Sequence, residues 1–103
     1  MADDPMVALL AAVRNYLSIT WVDADLDSKI TGMINRGITY VDDCGGDEFD
    51  YAAEGQARSL LFDYVRYARS GALSDFWADY RVELVALRSA TEVAKYVADN
   101  PDV

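Results

Sequence analysis

Apolar residues recur at three- and four-residue spacing over most of this chain, the period of a helix that buries one face. Met6, Leu9, Leu10, Val13, Tyr16 and Leu17 form the first such stripe. Asp4 before Pro5 marks its start, since aspartate caps a helix and proline suits the first helical position. Ser18 to Val22 is rich in β-branched residues and reads as extended or as a turn. A second stripe runs through Leu26, Ile30, Met33, Ile34, Ile38 and Val41. It opens on caps among Asp23 to Asp25 and closes on Gly45 and Gly46, where glycine accepts the left-handed backbone. Asp42 to Glu54 then reads as an acidic loop anchored to the core by Phe49 and Tyr51. A third helix is expected from about Glu54 to Ser70, stopped by Gly71. A fourth begins near Ser74 and sets Phe76, Tyr80, Leu84 and Leu87 on one face.

Beyond Leu87 the stripe changes side. Val82, Val85, Ser89, Val93 and Tyr96 follow a near-heptad spacing on another face of the fourth helix. Two arrangements satisfy this pattern. One long helix continues past the domain toward a partner, or Ser89-Ala90-Thr91-Glu92 is a capping box that opens a separate short helix. Asn100-Pro101 ends the segment in either case. The expected fold is therefore all-α: a single domain over residues 1–103, built as a small bundle of about four helices with a long or broken C-terminal helix. Residues 89–103 are a candidate partner-binding extension.

Composition fits one modest core, with 103 residues of which 52% are apolar. No apolar run approaches the roughly 20 residues that span a bilayer, so no membrane is expected as a partner. The first residues lack the basic and apolar regions of a signal peptide, and the single cysteine, Cys44, fits a reducing compartment. The chain is expected to be made in a cytoplasm. Its net charge of −9, with no three basic residues together, argues against tight binding to DNA phosphates.

Catalytic chemistry finds no support. With no histidine, Ser-His and Cys-His arrangements are excluded. Cys44 lies beside Asp42 and Asp43, whose charges raise a thiol pKa, so it reads as inert. Asp23-Ala24-Asp25-Leu26-Asp27 resembles the start of a calcium loop, but the sixth and twelfth positions are Ser28 and Ile34 rather than glycine and glutamate. Helix capping explains those aspartates better. Asp42, Asp43, Asp47, Glu48 and Asp50 could gather a hard cation weakly, though a solvated loop is the plainer reading. Gly32 and Gly37 inside the second helix cost about 1 kcal/mol each relative to alanine, which suggests a close backbone approach there. The chain is expected not to be an enzyme and to carry no cofactor or metal.

Charge is spread unevenly. Arg58 to Arg88 holds five basic and four acidic residues, while the other residues hold four basic and fourteen acidic. On a helical wheel Leu60, Leu61, Tyr64, Val65, Tyr67 and Ala68 form the apolar face of the third helix. Phe62 and Leu73 fall among Arg58, Arg66 and Arg69 on the other side. Trp77, Arg81 and Arg88 share an edge of the fourth helix, with Trp77 and Arg81 in reach of a cation–π contact. Aromatic and arginine side chains on an outer surface are the composition of an interface centre. Phe62, Arg66, Arg69, Leu73, Trp77, Arg81 and Arg88 are thus candidate subunit-interface residues.

The run from Leu60 to Leu73, Leu-Leu-Phe-Asp-Tyr-Val-Arg-Tyr-Ala-Arg-Ser-Gly-Ala-Leu, resembles the third-helix segment of the head–tail connector (adaptor) proteins of tailed phages and prophages of Gram-positive bacteria. Val13 to Trp21 followed by the aspartates, Gly37 to Asp43, and Arg81 to Arg88 resemble other segments of that family in the same order. The resemblance covers about residues 7 to 97 and rests on packing motifs. It implies a virion protein of the neck, assembled in the bacterial host cytoplasm. About twelve copies would form a ring beneath the portal protein, extend the DNA channel and receive a head-closure or tail-completion protein. It also implies that the C-terminal segment reaches the portal, which makes Val93, Tyr96 and Val97 candidate portal contacts. DNA would pass without specific binding. Asp42, Asp43, Asp47, Glu48, Asp50 and Glu54 are then candidates to face the lumen or solvent and repel the DNA backbone. The alternative from size, charge and helix content is a small acidic inhibitor of the anti-restriction type that mimics DNA.

Overall fold

The structure is a computed structural model and describes residues 5–100. Four α-helices and one short 3₁₀ turn follow in chain order: α1 (Pro5–Tyr16), α2 (Ala24–Gly45), α3 (Gln56–Arg69), the turn (Leu73–Asp75) and α4 (Phe76–Asp99). The all-α bundle expected from the periodicity is the fold observed. The cap expected at Asp4 lies outside the described residues.

The helix ends follow from local chemistry. At the end of α1 the Ile19 N–H donates to the Arg14 carbonyl at 2.9 Å, while Ser18 takes a left-handed φ of 61°. That closure turns Ile19 into the core and lifts Thr20 to Val22 outward. Asp23 caps α2: its carboxylate accepts from the backbone N–H groups of Asp25 at 3.0 Å and Leu26 at 3.2 Å. Gly46, at φ 77°, ends α2 by donating to the Asp42 carbonyl at 2.8 Å. Gly71, at φ 71°, turns the chain after α3, and the Ala72 N–H donates back to the Tyr67 carbonyl at 2.9 Å.

Helix α3 is central and packs on α1, α2 and α4. The core holds Leu9, Val13, Ile19, Ile30, Ile34, Val41, Tyr51, Leu60, Leu61, Tyr64, Val65, Phe76, Leu84 and Leu87. Gly37 lets α2 approach α3: a Cβ there would meet Leu61 at 2.7 Å and Tyr64 at 2.8 Å. Gly32 meets only the guanidinium of Arg36 on its own helix, so it marks no such approach. Around Phe76 stand four tyrosine rings. Tyr80 is stacked at a centroid distance of 4.7 Å, and Tyr40, Tyr64 and Tyr67 stand edge-on at 5.4 to 5.7 Å.

Three expectations are corrected and one open alternative is decided. Phe62 is not outward; it is buried, with its ring 5.5 Å from that of Tyr16, because α1 covers the side of α3 assigned to solvent. Tyr80 is half-buried at the edge of the core rather than within it. Asp42 and Asp43 belong to the last turn of α2, so the loop starts later than Asp42. Ser89 to Glu92 opens no new helix. Helix α4 is continuous through Ser89, which as a capping residue would need a free helix terminus.

The molecule is a slab of 52 × 36 × 17 Å. Its radius of gyration is 15.2 Å, against about 13 Å for a compact 100-residue domain. Helix α4 accounts for the difference: 24 residues run roughly 36 Å, and every residue from Glu92 to Asp99 is exposed. No helix among the described residues is long and apolar enough to cross a membrane.

Candidate assembly surface

Helix α4 is apolar on two opposite sides. Phe76, Leu84, Leu87 and Thr91 are buried against α2 and α3. Val82, Val85, Val93, Tyr96 and Val97 are all more than half exposed, and Val82 reaches 73%. They lie on the far side of the helix, as the second stripe in the sequence predicted. Charged side chains, among them Arg81, Arg88 and Lys95, lie between the two apolar sides. Two polar contacts hold α4 to the end of α2. Lys95 Nζ donates to the Gly46 carbonyl at 2.7 Å, and the Arg88 side chain lies over Gly46.

The arginine candidates separate into two groups. Arg66 is exposed but engaged: it donates to the Tyr80 hydroxyl at 3.0 Å and lies 3.7 Å from Asp63, which accepts a hydrogen bond from the Tyr16 hydroxyl. Arg69 is exposed beside it, and Leu73 is exposed at the rim of the 3₁₀ turn. On α4, Trp77 is 48% exposed and shares its edge with Arg81 and Arg88. Arg88 pairs with Glu92 at 2.9 Å, whereas Arg81 makes no hydrogen bond or ion pair among the described residues. The cation–π contacts formed are Arg58 over Phe62 and Arg66 over Tyr67; Trp77–Arg81 is not among them.

The acidic candidates divide as well. Asp43, Asp47, Glu48, Asp50 and Glu54 are exposed. Asp42 turns inward: one carboxylate oxygen accepts from the buried Tyr51 hydroxyl at 2.7 Å and from the Phe49 N–H at 3.2 Å. It anchors the loop and is half-buried, unlike its exposed acidic neighbours. Among the described residues no three acidic or cysteine side chains converge on a metal-sized point. Burial, more than the Asp43 charge, pushes the Cys44 thiol up.

One feature escaped the sequence reading. The corner between α1 and α2 presents Trp21, 52% exposed, and Val22, 90% exposed, next to Asp23 and Asp25. Arg14 fixes this corner by donating to the Trp21 carbonyl while pairing with Asp27 at 3.5 Å. The signal was present as an apolar pair directly before a helix cap, but a β-branched run reads equally as a turn.

The tyrosines carry the strongest titration shifts. The Tyr67 hydroxyl donates to Asp79 at 2.7 Å, and that bond, with a smaller share from burial, pushes Tyr67 up to about 12. Burial, and then the bond to Asp42, raises Tyr51. A group raised in this sense contributes fully below its unfolded pKa, here near 10, and the contribution is lost as pH climbs through the folded value. Stability is therefore expected to hold to about pH 10 and to fall toward pH 12. Asp79→Asn is expected to bring the Tyr67 titration back toward 10, read from tyrosinate absorbance; an unchanged curve would contradict the assignment.

Arg81 without an ion pair among the described residues, the exposed apolar edge of α4 and the Trp21 corner are thus the surface features outside the core. No protein-family model, no curated protein and no solved structure matches the chain.

Proposed function

We propose that the chain is a structural subunit of a phage neck: a head–tail connector that forms a ring beneath the portal, extends the DNA channel and docks a head-closure or tail protein. The observation that carries the reading is the second apolar face of α4, which runs from Val82 to Val97 and finds no cover among the described residues. On one isolated molecule that face is a solubility cost; in an assembly it is buried area. The segment resemblance supplies the identity of the assembly, and the charge fits it. Many copies at −9 each make a conduit that repels the DNA backbone rather than gripping it.

Within this reading Val93, Tyr96 and Val97, on the projecting turns of α4, meet the portal. Trp77, Arg81 and Arg88 lie between subunits. Phe62 has no part in the interface, since α1 covers it. Asp43, Asp47, Glu48, Asp50 and Glu54 face lumen or solvent.

The test is co-purification with a portal protein from the same genome as this chain. Val93→Asp with Tyr96→Asp is expected to abolish portal capture, a loss of tenfold or more, while helicity and melting stay unchanged because both side chains are exposed. Capture at the wild-type level would remove α4 from the contact. A chain that stays monomeric and instead blocks a DNA-binding enzyme would favour the acidic inhibitor.

A further inference from the structure

The exposed corner and the edge of α4 carry apolar groups beside charges of opposite sign. Between the last turn of α2 and one edge of α4 runs a groove of about 450 Å³, lined by Cys44, Trp77, Leu84, Val85, Arg88, Ser89 and Glu92. Trp77, Leu84 and Val85 give it an apolar floor; at its rim Arg88 is paired with Glu92, and Arg81 lies beside it, one helical turn from both Trp77 and Val85. The α1–α2 corner offers the complement: an apolar tip, Trp21 and Val22, bordered by Asp23 and Asp25. The tip is held rigid by the Asp23 cap and by Arg14, so little ordering is lost when it binds.

These two surfaces cannot meet within one molecule. The corner stands at the start of α2 and Cys44 at its end, roughly 30 Å apart along a straight helix of this length. A patch that matches a pocket elsewhere on the same molecule joins copies head to tail. Charge sets the pairing. Arg81 has no ion pair among the described residues, and the Asp25 carboxylate makes none either. Asp23 is occupied as the cap and Arg88 is shared with Glu92, so Asp25 against Arg81 is the new ion pair.

We propose that the Trp21-Val22 corner of one copy inserts into the α4 groove of a second copy of this chain, with Asp25 meeting Arg81. The inference rests on the reading of the chain as a self-assembling subunit and assigns its subunit contact. A one-way contact of this kind closes into a ring when the rotation between copies permits, and makes an open chain or a reciprocal dimer when it does not.

Two variants and their mixture test it. The first, Trp21→Ser with Val22→Asp, destroys the corner and leaves the Trp21 carbonyl for Arg14. The second, Val85→Asp with Arg88→Glu, destroys the groove at two exposed side chains. Circular dichroism and melting confirm that both fold. Sedimentation velocity and native mass spectrometry then compare them with wild type over a concentration series. Each variant alone is expected to be monomeric where wild type assembles. Their equal mixture is expected to form a dimer of one copy of each and nothing larger, since only one intact corner and one intact groove remain. Wild-type assembly by either variant, or a monomeric mixture beside an assembling wild type, overturns the contact and leaves the ring reading standing. A wild type that stops at a dimer or runs into open chains, with the mixture behaving as expected, upholds the contact and overturns the ring. Monomers throughout, with portal rings added as well as without, overturn both.

Discussion

Replacing Phe76 by alanine is expected to cost roughly 3–5 kcal/mol and to lower Tm by roughly 15–30 °C. Phe76 opens α4 and is 1% exposed. It is the one ring shared by Tyr40, Tyr64, Tyr67 and Tyr80, which come from α2, α3 and α4. Its truncation leaves a void where three helices meet, lined by rings too rigid to close it. Total stabilities of domains this size are about 5–15 kcal/mol, so the variant sits near the folding threshold. Phe76→Leu keeps most of the volume and is expected to lose only about 1–2 kcal/mol. Thermal melts of the two variants check the ordering. Equal losses would mean that the cluster is loosely packed.

The second large effect falls on Asp42, an acidic residue that charge alone places on the surface. Asp42→Ala removes the acceptor for the Tyr51 hydroxyl and for the Phe49 N–H. Tyr51 is 6% exposed, and its only other acceptor among the described residues is the Ile38 carbonyl at 3.5 Å. Leaving buried donors unpaired costs about 1–3 kcal/mol each, so a loss of roughly 2–4 kcal/mol is expected. The loop between α2 and α3 would loosen first, which amide exchange at Phe49 would report. Asp43→Ala, at a neighbouring but exposed carboxylate, is expected to change stability by about 0.5 kcal/mol or less. Similar small losses at both positions would return Asp42 to the solvated acids.

The helices were legible because their signals are local. Asp23 caps, Gly46 and Gly71 stop, and the apolar spacing between them has one period. Phe62 was not legible, for a reason that a helical wheel cannot see. A wheel assigns one buried face, whereas α3 is covered by α1 as well as by α2 and α4, which widens its buried arc. Asp42 escaped because acidic density along a chain carries no direction; only the fold turns one carboxylate inward among neighbours that stay wet. Ser89-Ala90-Thr91-Glu92 has the letters of a capping box without the free backbone N–H groups that a cap requires. The outer stripe of α4 was legible as a shift in phase. Its complement at Trp21 and Val22 was not, because two apolar residues in a turn have no period to betray them.

The central claim is that this chain works as an assembly rather than alone. Its most direct test is the native mass of the purified protein, alone and with portal rings, together with negative-stain images of the same samples. The account predicts closed rings of uniform subunit number, about twelve on the family resemblance, stacked coaxially on the portal. A chain that remains a monomer in the presence of portal, at concentrations where its exposed α4 face should be covered, would contradict it.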